Sequence, residues 1–576
     1  MSAVILTASA CTSNQKLDYP LPPTDNSVTD NYFGITVADP YRPLENDTSA
    51  ETLAWVEAEN KLTQSYLSAI PFRQQIKNRL SELNNYKKTG LPSIWKDGKY
   101  YFFENDGLRN QSILYRSDKL DGEAEVFLDP NTFSEDGTVA LNAVSNSNDG
   151  KYTVYIVSRS GSDWNEIFVM ETESKKLLED HINWAKFTNA TWAGDGFYYS
   201  AYPQPEKGKE YSNANEGHRI YYHKVGTDQS EDKLIYENPS APLHFYTSYV
   251  PKDENYLFVY GSGEGNGNSI RFKNLKSGSD WVIMEPTQDH DMRIVEVSGD
   301  KAYIITNWNA PKNRLMVADL KNPAKENWKE LIPEGNGVMT AVDFAGNDKI
   351  LVTFEKDATD HLIVFDTDGT MLSKIELPTL GKVSISSEKG QDEVFYSLTS
   401  FVYPAARFSY NLSTRESSPI GSPEINGINM EDYVTEQVFY TSADGTQVPM
   451  FLTYKKGLEK NGQNPVYLYG YGGFNVSLTP GFSPNRLLWL ENGGIYAQAN
   501  LRGGSEYGED WHQAGTKLNK QNVFDDFIAA AEYLIDNEWT SPEYMTIEGG
   551  SNGGLLVGAV VNQRPDLSRW QYPVLA

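Results

Sequence analysis

Met545-Thr546-Ile547-Glu548-Gly549-Gly550-Ser551-Asn552-Gly553-Gly554-Leu555-Leu556-Val557-Gly558-Ala559-Val560 joins a short strand-like run to an apolar helical run through one serine set among glycines. The stretch contains G-x-S-x-G, and a strand before it with a helix after it is the context a nucleophile elbow requires. The physical need is a turn tight enough to hold the serine in a strained conformation, with its hydroxyl protruding. Glycines on either side let strand and helix pass closely, and the following N–H then faces the charge that develops on a substrate carbonyl oxygen. Ser551 is therefore the candidate nucleophile.

Working outward, residues from about Ile425 alternate strand and helix patterns, the signature of an α/β layer. Val438-Phe439-Tyr440 and Met450-Phe451-Leu452-Thr453-Tyr454 read as a hairpin around Asp444-Gly445. Val466–Tyr469 and Gly494–Ala497 read as short buried strands, and Phe524–Ile535 as an amphipathic helix. The glycine-rich run Tyr469-Gly470-Tyr471-Gly472-Gly473-Phe474 follows a strand directly. Loops at this point of a hydrolase sheet lie beside the elbow and help to form its oxyanion hole. Two further motifs are Asn500–Gly508, with Arg502-Gly503-Gly504, and Lys520–Phe527, which opens the helix before the nucleophile strand.

Between about Lys88 and Glu424 the texture is different. A turn followed by an aromatic or β-branched strand recurs at Asp97, Asp149, Asp195, Asp253, Asp300, Asn347 and Gln391, at intervals of 44 to 58 residues. A period near 50 with several strands per unit marks a β-propeller, and seven anchors give seven blades. The run Gly261–Gly267 has no strand-to-helix context and reads as a loop between two strands of one repeat. Before the repeats, Tyr19–Arg42 reads as extended chain. A helix capped at Thr48-Ser49 follows, with Leu53, Val56, Leu62 and Leu67 as its apolar stripe, and a second runs from Pro71 to about Asn84.

Composition narrows the function classes. Of 576 residues, 39% are hydrophobic and 22% charged, with a net charge of -28 that excludes a nucleic-acid footprint. No run of 18 apolar residues exists to span a membrane as a helix, and no histidine pair has metal-ligand spacing. Neither a metal nor a cofactor is expected. The one cysteine, Cys11, follows Ala8-Ser9-Ala10 and precedes a polar run, as at the end of a bacterial lipoprotein signal, although the basic n-region is missing. The expected location is the periplasm or a lipid anchor if Cys11 is that cysteine, and the cytoplasm otherwise.

Together these motifs closely resemble the prolyl oligopeptidase family of serine peptidases. Tyr469–Phe474, Arg502-Gly503-Gly504, Gly549–Leu556, Arg564-Pro565-Asp566-Leu567 and the N-terminal Asp39-Pro40-Tyr41-Arg42 with Leu44-Glu45 carry the likeness. The resemblance implies a seven-bladed propeller over an α/β-hydrolase domain assembled from both chain ends. On it, residues 1–18 are a signal remnant and tail, 19–87 the N-terminal part of the hydrolase domain, 88–424 the propeller and 425–576 the catalytic domain. It implies an endopeptidase that cleaves short proline-containing peptides after proline, acting as a monomer. Ser551 would be the nucleophile, the backbone N–H of Asn552 and the hydroxyl of Tyr471 would stabilise the oxyanion, and Phe474 would line the pocket for the proline ring. Three other readings stay open: an oligopeptidase B relative, a dipeptidyl peptidase relative, and a peptide-binding propeller without catalysis.

The sequence departs from the family after the elbow. The expected order is Ser, Asp, His, yet none of the seven histidines (His181, His218, His223, His244, His290, His361 and His512) follows Ser551. Asp566 is too near Ser551 in sequence to be the triad Asp. The triad Asp and His are thus expected to be absent from the 576 residues, the hydrolase domain incomplete at its C-terminal end, and the polypeptide inactive as it stands. Ser568–Ala576 resembles no apolar strand of the family. Deleting one base from a codon string for FAVAIPGVGVM yields SRWQYPVLA and a stop, so a frameshift after Leu567 is the expectation.

Overall fold

The computed structural model describes residues 17–210 and 214–574; Cys11 lies outside them, and the side chains after Gln571 are likewise not described. The chain divides after Ser81 into two compact units.

In the first unit, Thr29–Tyr32 and Ile35–Ala38 form a hairpin turned by Phe33 and Gly34, both at positive φ. Arg42 pairs with Asp30 and, at 2.6 Å, with Asp39. The helix Ala50–Ser68 begins where Ser49 caps it, its side chain accepting from the Thr52 N–H. The stripe read from the sequence is only partly covered here, since Leu53 and Val56 are exposed.

The second unit contains seven antiparallel sheets in succession along the chain. Their second strands are Tyr100–Asn105, Tyr152–Arg159, Gly196–Ala201, Tyr256–Ser262, Lys301–Thr306, Lys349–Lys356 and Glu393–Ser400. Each of the seven sequence anchors is the turn that leads into one of these strands. The second and third sheets are linked by the single pair Ala185↔Ala201. A blade buries its faces only against its neighbours. Phe258 and Phe272 of the fourth blade pack with Ile304 and Met316 of the fifth, and Leu351 and Val364 of the sixth with Val394 and Tyr396 of the seventh. Gly261–Gly267 lies where the sequence places it, largely between the strands Tyr256–Ser262 and Ser269–Asn274.

The hydrolase part is one six-stranded sheet: β1 (Tyr433–Thr441), β2 (Gln447–Lys455), β3 (Val466–Tyr469), β4 (Ile495–Ala499), β5 (Met545–Gly550) and β6 (Trp570–Val574). Its order is β1-β2-β4-β3-β5-β6, antiparallel over β1-β2-β4 and parallel from β4 through β3 and β5 to β6. Helices α1 (Pro484–Glu491), α2 (Glu509–Gln513), α3 (Gln521–Asp536) and α4 (Asn552–Gln563) connect the strands. Ala530, Leu534, Leu556 and Val557 of α3 and α4 are buried in the same core as Leu468 and Ile547 of β3 and β5. β6 covers five of the last nine residues, a segment that the sequence marks as unlike an apolar strand of the family. Trp570 to Val574 pair in parallel register with Thr546 to Gly550, which makes β6 the edge of the sheet.

Turns between second and third strands of the later blades hold the sheet. Tyr507 Oη donates to Asp357 Oδ1 at 3.0 Å, Gln437 Nε2 to the Asp357 carbonyl at 2.7 Å, and the Glu509 N–H to the Pro311 carbonyl at 2.8 Å. Phe401 packs against Phe451 and Tyr496. The hydrolase sheet is thereby docked on the same side of blades five, six and seven.

Candidate active site

Loops leaving the C-terminal ends of β3, β4 and β5 converge at one point, where open α/β sheets bind ligands. Ser551 stands between β5 and α4 with φ 53 and ψ -116, a region that a non-glycine residue occupies only when its surroundings force it. The surroundings are backbone. A Cβ on Gly549 would lie 2.2 Å from the Gly553 carbonyl oxygen, so strand and helix pass too closely for any side chain there. The Ser551 side is exposed, and the N–H of Asn552, first residue of α4, has no intrahelical acceptor to use.

Tyr471 lies against this turn. A Cβ on Gly553 would stand 3.7 Å from Tyr471 Cα and 3.8 Å from its Cδ2. Asn552 Nδ2 donates to the Tyr471 carbonyl at 2.7 Å, so the residue after the serine is bound to the loop after β3. Phe474, three residues on, is 76% exposed, and both it and Asn475 have positive φ. Asn475 N–H reaches the Gly503 carbonyl at 3.1 Å and His512 Nδ1 at 3.1 Å. Ser551, Asn552 and Tyr471 thus meet at one turn, and Phe474 is exposed three residues beyond Tyr471.

Three charged groups shape the site, and none was assigned a role from the sequence. Arg502 is buried; its Nη2 donates to Asp526 Oδ1 at 2.6 Å, and its Nη1 pairs with Asp444 at 2.5 Å. The Arg502 hydrogen bonds hold the Asp444 carboxyl down at about 2, and the two aspartates raise the guanidinium against the opposing effect of burial. This pair ties the β4 loop to α3 and to the β1–β2 turn. Glu506 is buried beneath the segment after Phe474, accepting from the Leu478 N–H at 3.0 Å and from Asn500 Nδ2 at 3.2 Å. Burial pushes its carboxyl up to about 7, with Glu355 of the sixth blade adding repulsion. Lys520, just before α3, donates to the Gly472 carbonyl at 2.7 Å and to Asn552 Oδ1 at 3.4 Å. Residues 502, 506 and 520 all stand in motifs visible in the sequence, but nothing in their local spacing names partners 24 to 58 residues away.

Among the described residues no histidine hydrogen-bonds Ser551. His512, the one histidine on the hydrolase side, is buried with its Nδ1 against the Gly503 carbonyl at 2.8 Å.

Comparison with known proteins shows the family and the fold. The family model "Prolyl oligopeptidase, N-terminal beta-propeller domain" matches residues 20–423, and the model "Prolyl oligopeptidase family" matches residues 480–571. The prolyl endopeptidase of Elizabethkingia meningoseptica is 46% identical over 550 residues, covering 95% of this chain and 77% of that one. That of Elizabethkingia miricola is 43% identical over 576 residues, covering 100% and 81%. A solved structure from a study of two prolyl endopeptidases superposes with a TM-score of 0.89 at 35% identity, covering 96% of this chain and 81% of that one. Prolyl oligopeptidase B from Galerina marginata, bound to a 35mer substrate, superposes at 0.87 with 31% identity, covering 95% and 80%.

Proposed function

Since the chain belongs to the prolyl oligopeptidase family of serine peptidases, we propose that it cleaves short peptides after proline through an acyl-enzyme on Ser551. One observation carries the reading: a serine at φ 53 between a parallel strand and a helix, with the Tyr471 ring packed on the same turn. The Ser551 hydroxyl attacks the carbonyl carbon of the prolyl residue, and the oxygen that becomes negative is met by the Asn552 N–H and the Tyr471 hydroxyl. Phe474, exposed at the rim, offers its ring face to the proline.

A serine hydroxyl needs a base to take its proton. No histidine follows Ser551 in the 576 residues, and His512 is engaged with backbone. Within the 576 residues Ser551 therefore has no assigned base, and oxyanion stabilisation and binding are what they supply.

The test compares this polypeptide with a chimera whose residues after Leu567 are those that follow the matching position in the Elizabethkingia meningoseptica relative. Both are offered N-blocked Gly-Pro-, Arg- and free-amine dipeptidyl-linked chromogenic substrates. The chimera should hydrolyse the blocked Gly-Pro substrate, lose that activity on Ser551→Ala, and exceed the 576-residue polypeptide by ~10³-fold or more. Preference for the arginine or free-amine substrate would move the assignment to another branch of oligopeptidases. Equal rates for the two proteins would mean that a base lies within the 576 residues.

A further inference from the structure

The loop Gly470–Asn475 that presents Tyr471 has three glycines in six residues, and Gly472, Phe474 and Asn475 all sit at positive φ. Such a backbone samples many conformations unless its surroundings over-determine one. Two successive carbonyls of the loop are held by side chains. Asn552 Nδ2 donates to the Tyr471 oxygen at 2.7 Å, and Lys520 Nζ donates to the Gly472 oxygen at 2.7 Å. The two side chains also meet, Lys520 Nζ lying 3.4 Å from Asn552 Oδ1. An ammonium on Oδ1 sets which end of the Asn552 amide faces Tyr471, since a cation carries donors alone.

Lys520 is a cation without an ion pair among the described residues, as are Lys273 and Arg407. It is half-buried, and its contacts are the carbonyl and the amide oxygen just named. Burial holds its ammonium below the usual lysine range, so a cost is carried with no carboxylate to offset it. The packing leaves no slack, for a Cβ on Gly473 would fall 2.4 Å from Asn552 Nδ2.

We propose that Lys520 is a positioning residue of the oxyanion site, fixing the Tyr471 loop to the residue that follows the nucleophile. It acts through the Gly472 carbonyl and the Asn552 amide, not on substrate. The proposal rests on the reading of Tyr471 as an oxyanion donor and adds to it the group that holds Tyr471 in place.

The test uses the full chain with 3-fluorotyrosine at position 471, together with hydrogen exchange of the loop amides. Lys520→Met removes the donors and keeps an unbranched stem; Lys520→Arg keeps charge and donors. For Lys520→Met the fluorine line should shift and broaden and exchange over 470–476 should rise about tenfold or more, with exchange over Tyr256–Ser262 in the fourth blade unchanged. Lys520→Arg should return both signals to within about threefold of wild type. Loop exchange in Lys520→Met within about twofold of wild type overturns the proposal, and so does Lys520→Arg behaving like Lys520→Met, which would reduce the role to packing of the stem. Should Lys520→Met unfold the blades as well, Lys520→Gln carries the same comparison. The oxyanion reading fails separately: in the chimera, Tyr471→Phe would leave kcat unchanged while the Lys520 effect on the loop persisted.

Discussion

Replacing Glu506 by glutamine removes the ionisable group beneath the Phe474 segment while keeping its shape. The Oε1 acceptor for Leu478 and Asn500 is retained, and Oε2, which is buried with no hydrogen-bond partner, becomes an amide nitrogen. The carboxyl titrates near 7 in the folded chain against 4.5 when free. A carboxyl raised in this direction keeps its proton longer folded than unfolded. Stability is therefore greatest below about 4.5 and falls as pH rises through 7. At about 1.4 kcal/mol per pH unit between the two values, the group costs the folded state about 3 kcal/mol at pH 8 and under ~1 kcal/mol at pH 5. Urea denaturation of wild type and Glu506→Gln at pH 5, 6, 7 and 8 reads this group together with its coupling to Glu355. The variant should gain on wild type by about 2 kcal/mol across that range. A difference that stays flat from pH 5 to pH 8 would refute the assignment of a neutral carboxyl here.

Other expectations follow from the same contacts. Asp526→Ala leaves the buried Arg502 cation with only the half-exposed Asp444, and should cost about 3–5 kcal/mol in urea denaturation, against less than ~1 kcal/mol for Asp444→Ala. His223, buried between Asp180 at 3.0 Å and Asp232 at 2.7 Å, is raised to about 9 because the two carboxylates outweigh its burial. Its contribution is fully present below about 6.5 and is lost as pH rises through 9, so the thermal midpoint should decline over that window in wild type and not in His223→Gln. In the chimera, Tyr471→Phe should lower kcat about 10²-fold with little change in KM. Gly549→Ala should abolish turnover outright, since its methyl meets a backbone oxygen at 2.2 Å that cannot yield without moving α4.

The propeller was legible because each blade repeats one local event: a polar turn that feeds a β-branched or aromatic strand. The turns at Asp97 through Gln391 lead into the second strands of the seven sheets. The elbow was legible for a related reason, as Gly549, Ser551 and Gly553 are contiguous and their geometry is dictated locally. What the sequence concealed is non-local. Arg502 finds Asp526 across a loop and a helix, Glu506 finds Leu478 and the sixth blade, and Lys520 finds Asn552 on another helix. Helical spacing placed Leu53 and Val56 on one stripe but held no information on what covers it. Trp570–Val574 looked unlike a family strand by composition, yet pairing to β5 is a backbone property that composition does not decide.

The most direct test of Ser551 is to react the chimera with a fluorophosphonate and locate the adduct by peptide mass spectrometry. One label per chain, on the peptide that spans the β5–α4 turn and absent from Ser551→Ala, is the expected result. A stoichiometric label on any other residue, or Gly-Pro hydrolysis that survives Ser551→Ala, would contradict it.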